Sequence, residues 1–456
     1  MDTLSVLWDV DSYKTSHWRM YDPSVTHTIS YLTARRVPGW AWDGVVPFGM
    51  LHYLRTTLAQ RITEHDVWQA HDFYRSHIGF GVFNTEQWLE LVHAYPSSLP
   101  IRIDAAPEGS LVREGDPILV VQNTDARFPW LTSWIETSIE RLWYPTTVAT
   151  FARAAKKVLR NAADRDGTPR DAVNFKLHDF GSRGTTTADA SAIGGAAHLT
   201  SFHGSDNVPG VMLVRWLYDV DMPAQNIPAA EHSTITSWGG RDSEARAFGE
   251  ALSQYEDAPL LSMVSDTYDY QNAVSKLWGQ KLRDRVLSRP GTLVVRPDSG
   301  DVVDTVLWTL NELGRTFGYT TNARGFKELD PHVRIIQGDG MNLDTLQDTV
   351  DAMHVDGWAI ENITFGMGGA LLQKHNRDTL GFGYKLCGVM HADRSNAIID
   401  VHKEPHDDAS KRSRGYLEMY ATGALRGLKT VYENGSVGYG TSFSSVRGLV
   451  EDSLGG

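Results

Sequence analysis

The sequence predicts an α/β protein: a parallel β/α barrel with a second, α+β domain built from both termini. Two observations carry this. Between residues 161 and 378 a unit of apolar strand, polar turn and amphipathic helix recurs about seven times, at steps of roughly 25 to 40 residues, the length of one β/α unit. Arg, Asp, His and Gly also collect in the turns after the apolar runs, the end of a parallel barrel at which ligands bind. An open doubly wound sheet is the alternative that the same alternation allows.

The best-marked unit is Leu293–Gly300, LVVRPDSG. An apolar run ends in Arg296, Pro297 forbids further ladder pairing, and Asp298, Ser299 and Gly300 turn the chain. Val302, Val303, Val306, Leu307, Leu310 and Leu313 then follow at helical spacing until Gly314, where the helix is expected to stop. The other units read the same way. Val173–Leu177 leads into HDFGSRG, His198–Phe202 into GSD, and Gln225–Pro228 into EHS. Leu260–Val264 leads into Ser265 and Asp266, with a helix through Trp278. Val333–Ile336 leads into QGDG and a helix with Leu343, Leu346, Val350 and Met353 on one face. Ile360–Phe365 leads into Gly366, Met367, Gly368 and Gly369 and a helix with Leu371 and Leu372.

Outside the barrel the pattern changes. Thr26–Leu32 reads as a strand running into Arg35 and Arg36, and strands are expected at Ile101–Asp104 and Pro117–Val121. A helix from Trp130 to Trp143 is expected to end at Pro145, with a second over Val148–Leu159. Tyr384–Val389 and Asn396–Val401 read as strands, and Lys411–Arg414 as a basic loop. The predicted domains are therefore 1–160 with 379–456, and 161–378.

The 456 residues are long enough for two full cores, and 41% hydrophobic with 22% charged residues is ordinary globular composition. A net charge of −13 argues against general binding to nucleic acid or anionic membranes, which needs excess Lys and Arg. No apolar run approaches the ~20 residues that span a bilayer, and the N-terminus lacks signal-peptide character, so a cytoplasmic protein is expected. The single cysteine, Cys387, is expected to act as a small buried hydrophobe.

The chemistry lies in the turns. Arg183, Arg296 and Arg377 offer planar forks that match phosphate oxygens. Asp266, Asp298 and Asp339 suit a sugar diol and a hydrated Mg2+, which takes few protein ligands. The Gly366–Gly369 turn ahead of a helix can cradle phosphate on bare backbone N–H groups. Singly, each has a structural explanation: a paired Arg or Asp, a tight turn, a hydrogen-bonded His232. Jointly, on one barrel face, they point to a phosphorylated sugar carrying pyrophosphate.

Longer stretches carry a resemblance. KLHDFGSRG at Lys176–Gly184, IPAAEHSTITSWG at Ile227–Gly239, VSDTYD at Val264–Asp269, RPDSG at Arg296–Gly300, IQGDG at Ile336–Gly340 and TFGMGGALLQK at Thr364–Lys374 resemble the nicotinamide phosphoribosyltransferases. DSYKTSH at Asp11–His17 and WYPTTVAT at Trp143–Thr150 extend the likeness, in collinear order, to nearly the whole chain.

The resemblance implies a type II phosphoribosyltransferase-like barrel. Its reaction moves phosphoribose from phosphoribosyl pyrophosphate to nicotinamide in NAD salvage, releasing nicotinamide mononucleotide and pyrophosphate. It also implies Mg2+, ATP as a co-substrate coupled through a phosphohistidine at His232, and a homodimer with shared active sites. By that likeness Phe180 and the partner subunit's Tyr13 sandwich the pyridine ring, and Asp206 accepts the carboxamide N–H. Asp298, Asp339 and Gly338 hold the ribose, and Asp266 and Asp298 stand near Mg2+. Arg183, His232 and Arg296 face the pyrophosphate. Gly368 and Gly369, with the partner's Arg377 and the partner's Lys385, hold the 5′-phosphate, and Asp11, Arg35 and Lys403 are interface candidates. Two positions depart from the pattern: Ser182 where eukaryotic relatives usually carry tyrosine, and Gly383 where they offer a serine. A nicotinate-preferring transferase and a catalytically silent nucleotide-binding protein are the alternatives; Asp206 argues against the first and the intact set of charged residues against the second.

Overall fold

In chain order the strands are β1 (Val25–Ala34), β2 (Ile101–Ala105), β3 (Pro117–Asn123), β4 (Leu177–Asp179), β5 (Gly204–Ser205), β6 (Leu260–Val264) and β7 (Thr292–Arg296). They continue with β8 (Tyr319–Thr321), β9 (Lys327–Leu329), β10 (Val333–Gln337) and β11 (Ile363–Met367). The last are β12 (Phe382–His391), β13 (Ile399–Asp400), β14 (Lys429–Glu433) and β15 (Ser436–Val437). This computed structural model describes residues 4–35, 42–394, 397–407 and 412–455; Arg36, Asn396 and Lys411, named above, lie outside them. The chain divides into two units, Met1–Thr150 with Asn376–Gly456, and Phe151–His375.

The first unit is built on an antiparallel sheet of order β13-β12-β1-β3-β2-β14-β15. Interior strand β1 pairs Ile29 with Gln122 of β3 on one side and with Gly388 of β12 on the other, so both ends of the chain share one sheet. Below it, aromatic residues fill the core: Trp88 and Trp134 meet edge-on at 5.1 Å, and Tyr74 stacks on Phe83 at 5.3 Å. Cys387 is buried in this sheet, and its Sγ–H donates to the Ile29 carbonyl at 3.3 Å. Burial pushes the thiol pKa up, which keeps it unreactive at neutral pH.

The second unit is the parallel sheet that the strand–turn–helix repeat predicts, with order β5-β4-β11-β10-β7-β6. Its two edges are joined by the segment 225–229. Gln225 makes a parallel bridge to Gly204 of β5, and Ala229 makes one to Ser262 of β6. The ring therefore has seven members, and they follow one another in chain order. Pro228 explains why the seventh is so thin: it has no N–H to donate, so only its carbonyl serves the ladder, accepting from Ser262 N at 2.9 Å.

Several elements differ from expectation. Pro145 ends nothing; it sits in the first turn of a helix over Trp143–Asp166, where a missing N–H costs no hydrogen bond. The stretch His198–Phe202, expected as a strand, forms none. His198 closes the helix Ala188–His198, Leu199–Phe202 continue it in tight turns, and the strand is the two-residue β5. Val173 and its neighbours lie in a 3-10 turn over Arg170–Phe175, and the strand begins at Leu177. The helix after β7 runs over Val302–Phe317, through Gly314, and ends at Gly318 with φ 94°. Gly314 serves packing instead: a Cβ there would stand 2.8 Å from the Trp358 ring. Among the described residues no helix is long and apolar enough to cross a membrane.

Candidate active site

Since the barrel strands are parallel, the residues that follow them emerge on one rim. Phe180 follows β4 and Asp206 follows β5; Asp266 stands two past β6 and Asp298 two past β7. Gly338 and Asp339 follow β10, and Gly368 and Gly369 follow β11. His232 stands three residues beyond the closing segment, opening the short helix His232–Thr236.

The densest part of this rim joins the turns after β6 and β7. Pro297 takes Asp298 out of the ladder, which frees its backbone N–H to donate to Asp266 Oδ2 at 3.2 Å. Ser299 Oγ donates to the same oxygen at 2.6 Å, and His232 Nε2 lies 3.0 Å from Asp266 Oδ1. Both oxygens of this carboxylate, whose side chain is 6% exposed, are thus engaged, and the imidazole is oriented by one of them. Asp298 is held more loosely: Oδ2 lies 3.9 Å from His232 Nδ1 and 3.7 Å from Arg296 Nη2. Arg296 Nε is buried without a hydrogen-bond partner among the described residues. A guanidinium with spare donors at a strand end suits an oxyanion.

A second group surrounds Asp206. Its backbone N–H donates to the Asp179 carbonyl at 3.0 Å, and Asn226 Nδ2 donates to its Oδ1. Asp179 is fully buried, accepting from Gly181 N at 2.7 Å and Asn207 Nδ2 at 2.8 Å. Burial pushes its carboxyl up to about 6, against those two donors and with the help of the Asp206 charge. Ser182 Oγ lies 2.8 Å from Ser191 Oγ, which donates to Asn207 Oδ1. The departure at Ser182 therefore feeds the network that holds Asp179.

Two rings of the β4 segment lie across neighbouring backbones. His178 covers Gly204, where a Cβ would come within 2.3 Å of the imidazole. Phe180 covers Gly366 and Gly338, where Cβ atoms would stand 2.0 and 3.0 Å from its Cε2. The glycines of the IQGDG and TFGMGG stretches thus make room for an aromatic platform. Gly366 and Met367 belong to β11, and the helix after them, Gly369–Leu372, is only four residues long. Arg183 and Asp339 are exposed on the same rim.

The remaining candidates lie in the first unit, Arg377 among them, because the division falls after His375. Tyr13 is 61% exposed on the 3-10 helix Ser12–Arg19. Asp11 accepts from Thr137 Oγ1 at 2.7 Å, and Arg35 Nε donates to the Gly381 carbonyl at 3.0 Å. Lys385 Nζ donates to the Tyr384 carbonyl, and burial holds its ammonium pKa below the usual range. Arg377 reaches Asp378 at 3.4 Å, and Lys403 pairs through its backbone with Ser413. A Cβ on Gly383 would lie at ordinary contact distance, 3.5 Å, from the Arg35 guanidinium.

Ser299, Asn226, Asp179 and Glu244 were not singled out by sequence. Ser299 and Asp179 could have been, since they lie inside RPDSG and KLHDFGSRG; the other two carry no local signal. Glu244 opens the helix Glu244–Gln254, buried, with Oε1 unpartnered among the described residues. Burial raises its carboxyl to about 7; Arg241 opposes this, and Asp269 and Asp266 add to it. A raised folded-state pKa contributes stability at low pH that is lost as pH rises through about 7. Glu244→Gln is therefore expected to melt about 2–4 °C higher relative to wild type at pH 8 than at pH 5. Thermal scans across this range that run parallel for the two proteins would refute it.

Comparison with known proteins agrees with this geometry. Residues 175–436 match the nicotinate phosphoribosyltransferase (NAPRTase) family, and residues 5–103 match the nicotinamide phosphoribosyltransferase N-terminal domain. A nicotinamide phosphoribosyltransferase of Xanthomonas campestris pv. campestris is 38% identical, over 95% of each chain. One from Acinetobacter baylyi is 32% identical, over 82% of this chain and 80% of its own. Among solved structures, the human nicotinic acid phosphoribosyltransferase aligns over 97% of this chain and 93% of its own, with a TM-score of 0.57 at 17% identity. The Pyrococcus furiosus nicotinate-nucleotide pyrophosphorylase aligns over 98% and 95%, with a TM-score of 0.58 at 16% identity, a likeness of fold. The chain belongs to the nicotinate phosphoribosyltransferase family and, within it, to the nicotinamide phosphoribosyltransferases, which are pentosyltransferases.

Proposed function

We propose that this chain transfers phosphoribose from phosphoribosyl pyrophosphate to nicotinamide, giving nicotinamide mononucleotide and pyrophosphate in NAD salvage. The observation that supports it best is one rim carrying Arg296 with unused donors, the Asp266–His232 pair, the Phe180 platform and the Asp206 carboxylate. The pyridine ring stacks on Phe180 with the partner subunit's Tyr13 on its other face, and its nitrogen attacks the anomeric carbon. The bond to pyrophosphate breaks as the ribose gains oxocarbenium character; its electrons leave on an oxygen neutralised by Arg296 and Arg183. Attack from the opposite face inverts the anomeric configuration. Neutral nicotinamide is a weak nucleophile, so orientation carries much of the acceleration.

Asp298 and Asp339 with Gly338 hold the ribose diol. Gly368 and Gly369, with the partner's Arg377 and the partner's Lys385, hold the 5′-phosphate, and Asp11, Arg35 and Lys403 flank the homodimer interface. The donor set fits a hydrated Mg2+. Asp298 is partly exposed with no ion-pair contact shorter than 3.7 Å among the described residues, and Asp266 beside it adds charge. When bound, the ion supplies further neutralisation of the pyrophosphate. ATP hydrolysis couples through phosphorylation of His232, whose ring Asp266 orients.

The deciding experiment is a mononucleotide assay run with nicotinamide and nicotinate side by side. Product from nicotinamide at far lower substrate concentration supports the proposal; preference for nicotinate, or no product from either, rejects it. His232→Ala is expected to lose ATP stimulation while keeping basal transfer, and full stimulation in that variant would remove the phosphohistidine step.

A further inference from the structure

The amide-or-acid choice depends on how the Asp206 carboxylate is aimed, and thin closure of the barrel decides that. Gln225 bridges Gly204 and Ala229 bridges Ser262, so the chain enters the ring just beside β5. Asn226, the residue after the first bridge, therefore faces the residue that leaves β5, and its Nδ2–H donates to Asp206 Oδ1. Asp206 Oδ2 has no hydrogen-bond partner among the described residues, and the side chain is open to a ligand.

Among the described residues no other side chain donates a hydrogen bond to the Asp206 carboxylate. Asp179 contributes its backbone carbonyl, to which Asp206 N donates, and a buried carboxyl already taken by Gly181 and Asn207. Burial holds the His178 imidazole pKa below its usual value, although Asp206 and Asn226 pull it upward. A carboxylate is acceptor-only and an amide has two donors, so Asn226 is the neighbour suited to take one Asp206 oxygen and leave the other free.

We infer that Asn226 is a specificity-determining residue: by engaging Oδ1 it aims Oδ2 to accept the carboxamide N–H of nicotinamide and to oppose the carboxylate of nicotinate. This rests on the reading given under Proposed function. Without the Asn226 donor the Asp206 side chain turns freely, the directed bond to the amide weakens, and the opposing charge moves off the acid. Like charges held in contact are what specificity of this kind requires.

Asn226→Leu keeps roughly the same shape and removes the donor without adding a charge; Asn226→Ala removes both. Equilibrium dissociation constants for nicotinamide and nicotinate are measured on the wild type and both variants, together with kcat/KM for each ligand. The nicotinamide-over-nicotinate ratio is expected to fall about tenfold in both variants, the scale of one lost charge-assisted hydrogen bond. A wild-type ratio in Asn226→Leu, or equal losses for the two ligands, would overturn the assignment, because a packing role moves both ligands together. If the wild type makes no mononucleotide from nicotinamide, the proposed function fails, and the ratio of dissociation constants still decides the role of Asn226.

Discussion

Arg296→Ala lowers kcat/KM for phosphoribosyl pyrophosphate by about two to three orders of magnitude, the range for removing a donor aimed at developing negative charge. The argument begins with burial. The Arg296 side chain is 16% exposed, its Nε has no partner among the described residues, and its nearest ion-pair contact among them is Asp298 at 3.7 Å. A cation so little used by its own protein has donors left for pyrophosphate. Removing it also leaves Asp298 without its nearby guanidinium, which disfavours an anionic substrate further. Arg296→Lys should recover little, since a point ammonium cannot replace a planar fork. Steady-state kinetics with phosphoribosyl pyrophosphate varied is the measurement; Arg296→Ala retaining half of wild-type efficiency would make the residue structural.

Gly366→Ala raises KM for nicotinamide by about ten- to a hundredfold, through Phe180. The added Cβ would lie 2.0 Å from Phe180 Cε2 and 2.3 Å from Cδ2, so the ring must leave its place over β11. The backbone gives little: Phe180 N donates to the Met367 carbonyl at 3.0 Å, and Gly181 N is held by Asp179. Overpacking of this kind costs about 1–3 kcal/mol of stability, so a lower Tm accompanies the kinetic effect. Gly338→Ala, where the approach is 3.0 Å, is the milder control and should show the same trend at smaller size. A normal KM for nicotinamide in folded Gly366→Ala would mean that Phe180 is not the platform for the ring.

Much of this was legible before any coordinates. Val302, Val306, Leu310 and Leu313 sit at helical spacing because one helix face is buried, and Pro297 marks the end of β7 because it cannot pair. The same logic located β6, β7 and β10 and the turns carrying Asp266, Asp298 and Asp339. It failed where tertiary contacts set the local state. His198–Phe202 reads as a strand before its polar turn, yet its burial is met by a helix end and tight turns. Gly314 reads as a stop signal, yet it lies inside a helix because Trp358 needs the space. Pro145 reads as a breaker, yet its position in a first turn makes it harmless.

The sequence by itself determined the α/β class, the repeated strand-turn-helix unit and the residue types at each strand end. Those depend on periodicity and backbone chemistry, which act over a few neighbours. Only the tertiary structure decided that the unit at 225–229 closes the ring through two single bridges, that Asn226 meets Asp206, and that Ser299 and His232 share the Asp266 carboxylate. Such partnerships join residues 20 to 34 positions apart, and no local pattern encodes them. They form because a closed parallel sheet brings every strand end to one rim, and short polar side chains there bond with whatever the closure places beside them.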